Sequence, residues 1–113
     1  RCFDVNLKGA FFMSQLVGRV MADENQERGG VIINIGAAAG DDAPASGFAA
    51  YAASKAGLAT FSHECAREFS PYGIRVYTVQ PETANDELIG EVSERVNGAP
   101  EIAKVVLRLC LPD

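Results

Sequence analysis

The 113-residue chain carries 10 Lys and Arg against 15 Asp and Glu, a formal net charge of −5, and 48% of its residues are hydrophobic. That acidic balance argues against nucleic acid or an anionic membrane surface as a partner, and no apolar run approaches the roughly 20 residues that span a bilayer. Three cysteines without a Cys-x-x-Cys and no signal-peptide pattern suit reduced, mostly buried thiols in a cytoplasmic protein, and with His63 as the lone histidine a metal site has almost no support.

From Asp4 to about Asp23 the pattern is helical, with Leu7, Phe11, Phe12, Met13, Leu16, Val17, Val20 and Met21 covering more than one stripe. A helix apolar on two faces must be covered on both. One face belongs on a sheet; a neighbouring subunit fits the other. Glu24 to Gly30 is a polar loop. Val31-Ile-Ile-Asn-Ile35 is short, β-branched and nearly continuously apolar, as expected of a parallel strand buried on both faces. Ala37 to Gly47, small and acidic with Asp41-Asp42, Pro44 and Gly47, is a strand-to-helix loop, where α/β proteins place ligands. The solvated tip of such a loop is the plain reading of Asp41-Asp42.

A second helix is predicted from about Ala49 to Phe69, stopped by Pro71-Tyr72-Gly73. His63, on its outer half, has no partner at catalytic spacing and reads as a surface or interface residue. Ile74 to Val79 is the next strand, ended by Pro81. Asn85 to Val96 and Pro100 to Leu111 read as two further helices, with Pro100 at a first helical position. Strand, helix and strand make one βαβ unit. Two strands do not form a stable open sheet, so the expected fold is part of a larger doubly wound parallel sheet, Rossmann-like, with helices on both faces. No domain boundary, repeat or low-complexity segment is visible.

The most informative spacing is Tyr51-Ala-Ala-Ser-Lys55. Residues at i and i+4 share one face of a helix. An ammonium beside a phenol favours the phenolate, and a phenol tuned in this way can give or take the proton that carbonyl reduction or alcohol oxidation requires. A helix-start tyrosine packed under a loop, beside a solvated lysine, is the bland alternative.

The surroundings favour the first. Upstream lies Gly30-Val-Ile-Ile-Asn-Ile-Gly-Ala-Ala-Ala-Gly40, downstream Ser70-Pro-Tyr-Gly-Ile-Arg-Val-Tyr-Thr-Val-Gln-Pro81, and Phe3-Asp-Val-Asn-Leu-Lys-Gly-Ala-Phe-Phe12 opens the chain. In this order and at these separations the segments resemble the short-chain dehydrogenase/reductase family of nicotinamide-dependent oxidoreductases. The resemblance runs from about Phe3 to Pro81 and resumes at Gly98-Ala-Pro-Glu-Ile-Ala103.

The resemblance implies that Tyr51 is the general acid/base, and that Lys55 tunes it while holding the cofactor ribose. Asn6 would support a water-mediated proton relay through its backbone. Pro81, Glu82 and Thr83 would lie beside the nicotinamide of NAD or NADP. A small carbonyl or alcohol would be the substrate, and a homodimer or homotetramer the assembly. Asn34 matches a structural position and is expected to bond backbone of neighbouring segments. No glycine-rich phosphate turn is present, so residues 1–113 read as the C-terminal part of one Rossmann-like domain of a longer protein.

Two departures stand out. Where the family carries a substrate-binding serine, Gly36 and Ala37 occur; losing one such donor costs about 10²–10³ in rate. Ser46 lies closer to Tyr51, but no spacing demands it. After Pro81 the family has glycine and this chain has Glu82, while the threonine that holds the carboxamide falls near Asp86, not at Thr83. The segment from Thr83 to Asn97 is also short for one that covers substrate. These departures motivate the alternative of a non-catalytic member that keeps the fold for binding or as a scaffold.

Overall fold

The computed structural model describes residues 1–24, 29–36, 49–81, 95–96 and 98–111. A π-helical turn, Asp4–Lys8, runs into α1 (Gly9–Glu24); β1 (Gly30–Ile35), α2 (Ala49–Phe69), a 3₁₀ turn at Ser70–Tyr72, β2 (Ile74–Pro81), β3 (Arg95–Val96) and α3 (Gly98–Cys110) follow. The order of the sheet is β1-β2-β3, all parallel, with Ile32 opposite Val76 and Ile35 opposite Val79.

Side-chain alternation along β2 builds two cores. Ile74 and Val76 point to one face, where they meet Cys65 of α2, Met21 and Ala22 of α1, and Ile32. Val79 points to the other and packs on Val105, Ile102 and Leu109, one stripe of α3. Helices therefore cover both faces of a parallel sheet, the doubly wound arrangement expected from the sequence.

β2 is the more deeply buried strand, whereas Val31 to Asn34 of β1 are only half-buried. The expectation of complete burial fails because, among the described residues, β1 has a neighbour on one edge only. The thiols also depart from expectation: Cys65 is buried, Cys2 half-buried and Cys110 exposed, all three free. Burial, aided by the Glu68 carboxylate, pushes the Cys65 thiol up to about 11. It stays protonated at neutral pH and is a packing group, not a nucleophile.

At the C-terminal end, Arg95–Val96 forms a short strand instead of closing a helix, because its backbone pairs with Gln80–Pro81. The rest of the helix expected from Asn85 lies outside the described residues. The last helix starts at Gly98, two residues before Pro100. Asn34 is also corrected. Its amide donates to the Ser62 hydroxyl at 2.8 Å, and Ser62 donates onward to the Leu58 carbonyl at 2.8 Å, so among the described residues the Asn34 side chain is tied to a helix side chain and not to backbone.

Where the chain enters the two strands, Gly29 and Gly73 both take left-handed backbone, φ 63° and 72°, and Gly30 N–H donates to the Gly73 carbonyl at 3.3 Å. A Cβ on Gly29 would strike that carbonyl. Left-handed backbone costs a non-glycine residue roughly 1–2 kcal/mol before any collision. Gly29→Ala should therefore lower unfolding free energy by about 2 kcal/mol or more in chemical denaturation; a loss under about 0.5 kcal/mol, the size of an ordinary surface substitution, would show that the turn relaxes freely.

Candidate active site at the carboxyl edge of the sheet

β1 ends at Ile35 and β2 at Pro81, side by side on the carboxyl edge. α2 begins near this edge. Tyr51 is its third residue and Lys55 lies one turn further. The Lys55 ammonium donates to the Ile35 carbonyl at 3.0 Å, and its Nζ stands 6.0 Å from the centroid of the Tyr51 ring. Tyr51 is 41% exposed. A strand-end carbonyl thus holds the ammonium, and the ammonium flanks an accessible phenol. Open parallel sheets bind ligands at this edge.

Asn6 reaches the site from below. It sits in the middle of the π-turn, in which Gly9 N–H bonds back to the Asp4 carbonyl, one residue beyond the α-helical pattern. The turn packs against α2 because Gly57 has no side chain: a Cβ there would come within 3.1 Å of Leu7 Cδ2. From that seat the Asn6 amide donates to Ser54 Oγ at 3.2 Å and to Cys2 Sγ at 3.5 Å. Ser54 donates to the Tyr51 carbonyl at 2.7 Å.

The structure therefore gathers Asn6, Tyr51 and Lys55 around the first turn of α2 and puts the backbone of Pro81 on the same sheet edge. Glu82, Thr83, Ala37, Ser46, Asp86 and the Asp41-Asp42 pair lie outside the described residues. His63 is exposed on α2, as a surface residue should be. Ser54, Cys2 and Ser62 are polar partners that the sequence reading passed over. A signal existed for two of them: Ser54, Leu58 and Ser62 repeat every four residues, so the serines share the helix face that Leu58 buries.

A parallel sheet with helices on both faces and a Tyr–Lys pair at its carboxyl edge defines a Rossmann-like α/β protein. More narrowly, the chain belongs to the short chain dehydrogenase family, whose model matches residues 1–97. Sorbitol-6-phosphate 2-dehydrogenase of Klebsiella pneumoniae is 42% identical over 78 residues, 69% of this chain and 28% of that protein. Human 3-hydroxyacyl-CoA dehydrogenase type-2 is 37% identical over 99 residues, 85% and 38% of the respective lengths. Among solved structures, an oxidoreductase of the short chain dehydrogenase/reductase family from Brucella ovis, in complex with a partially ordered NAD, superposes with a TM-score of 0.69 at 29% identity, covering 97% of this chain and 44% of that one. The chain spans less than half the length of each of these relatives.

Proposed function

We propose that the protein containing this chain is an NAD- or NADP-dependent oxidoreductase acting on a carbonyl/alcohol pair, with the described residues forming the C-terminal part of one Rossmann-like domain. The observation that carries this reading is the Lys55 ammonium fixed on the Ile35 carbonyl and standing 6.0 Å from an accessible Tyr51 ring.

The residues present fit a nicotinamide cofactor. An ammonium has three N–H donors, and Ile35 engages one of them, leaving two for the hydroxyls of a ribose. The backbone at Pro81 borders the same edge, and Glu82 and Thr83 follow it in sequence. The cofactor, when bound, supplies or accepts the hydride. Tyr51 handles the proton: in reduction its hydroxyl hands a proton to the substrate oxygen, and in oxidation it takes one back. Lys55 sets a positive charge where negative charge develops as that proton leaves. Asn6 belongs to the relay that resupplies the proton. The π-turn around it supports this role, since displacing the helical ladder frees backbone groups to hold water. A second copy of the chain, packed on the outer faces of α1 and α2, completes the assembly.

Ala37 and Glu82 favour a second reading, a member that binds nicotinamide without turnover. A fluorescence titration of the full-length protein with NADH and NADPH, followed by assay on a panel of ketones, separates the two. The expected result is saturable binding in the range of about 1 μM to 1 mM together with reduction of at least one ketone. Binding without turnover selects the second reading, and binding of neither cofactor removes both.

A further inference from the structure

We propose that Ser54 is a positioning residue that aims Tyr51, an inference that rests on the reading of Tyr51 and Lys55 given above. Ser54 has 0% exposure, while Ala52 and Ala53 beside it are exposed. A hydroxyl has one hydrogen to donate and two lone pairs to accept with. Here all three are committed. The hydrogen goes to the Tyr51 carbonyl at 2.7 Å, and one lone pair takes the Asn6 amide at 3.2 Å. Cys2 Sγ lies 3.6 Å away; with the serine hydrogen already spent, the thiol is the donor to the second lone pair. The second Asn6 N–H closes the ring on Cys2 Sγ at 3.5 Å.

The consequence is geometric. A backbone carbonyl has two lone pairs, so the Tyr51 carbonyl accepts this hydroxyl in addition to the helical N–H it would ordinarily receive. The peptide unit that carries Tyr51 is thereby clamped. The clamp reaches across 48 residues of sequence to the π-turn. One hydroxyl therefore fixes the acid/base residue and the relay asparagine relative to each other, near the start of α2. Reacting atoms must lie about 3–3.5 Å apart, and a displacement of about 1 Å can cost 10²-fold in rate.

In the full-length protein, Ser54→Ala should lower kcat by about 10- to 100-fold while the cofactor KM and Kd move by less than about threefold, because the loss falls on alignment and not on binding. Ser54→Cys, which keeps the volume but bonds weakly, should show the same split and guards against collapse of the core. Asn6→Ala should cost about as much as Ser54→Ala, and the double variant no more than the worse single, since the two act as one unit. Turnover of both Ser54 variants within twofold of the parent, or additive losses in the cycle, would overturn the proposal. So would failure of both variants to accumulate as folded protein, which would make Ser54 a folding residue. Tyr51→Phe run alongside separates the levels: if it is inactive while the Ser54 variants are fully active, only the positioning role falls, and if it is active the underlying reading falls with it.

Discussion

Tyr51→Phe in the full-length protein should abolish ketone reduction, by about 10²–10⁴-fold, the range that positioned proton transfer contributes. The substitution removes one oxygen atom from a side chain that is 41% exposed, so little packing is lost and the fold is spared. The ring that lies 6.0 Å from the Lys55 ammonium stays, as does the bond from Lys55 to the Ile35 carbonyl. Cofactor affinity should therefore change by no more than about tenfold, the most that one neutral hydroxyl is worth at 0.5–1.5 kcal/mol. Steady-state rates measured beside a fluorescence titration read both quantities. A folded Tyr51→Phe protein that still reduces ketones at the parent rate would remove the phenol from the chemistry and leave Lys55 as a ribose ligand without an acid to serve.

The Tyr–Lys pair was legible because its geometry is local. Four residues on a helix fix a shared face whatever the rest of the protein does. The two long strands were legible for a related reason: β-branched runs bounded by glycine and proline have few other conformations open to them. What escaped depends on tertiary partners. Ser54 and Ser62 are residues of indifferent helix propensity, and their importance comes from Asn6 and Asn34, which approach from 48 and 28 residues away. The π-turn at Asp4–Lys8 has no compositional mark. It becomes intelligible only with Leu7 seated on Gly57 and Asn6 bonded to Ser54. β3 was misread for the opposite reason. Two residues, Arg95 and Val96, are too few to show a period of two, and the strand exists because Gln80 and Pro81 offer an edge to pair with.

The apolar surface of α1 leads to the last expected result. Its inner side, with Ser14 buried and Met21 and Ala22 packed on the core, faces the sheet. Its outer side presents Phe12, Met13, Leu16 and Val20, each about half exposed or more, next to a groove of about 350 Å³ lined by Phe11, Arg19, Phe61, Glu68 and Tyr72 between α1 and α2. A doubly wound fold has three layers, with helices on both faces of the sheet, and a helix face turned away from the sheet lies beyond the last of them. In the assembly proposed above a second subunit covers that face, and a two-fold interface would bring Leu16 to the contact twice.

Leu16→Glu should then weaken association twice over. Each copy loses the burial of a leucine side chain, about 1.5–3 kcal/mol, and gains a carboxylate that must be desolvated. The sum of the apolar losses alone, about 3–6 kcal/mol for the pair, corresponds to a dimer dissociation constant raised by roughly 10²–10⁴-fold. The isolated subunit should lose little, because Leu16 is already 57% exposed within it. Sedimentation velocity at micromolar protein should show the parent as an oligomer and Leu16→Glu as a folded monomer with unchanged far-UV circular dichroism. An unchanged sedimentation coefficient would place the interface elsewhere and leave the outer face of α1 to a different partner.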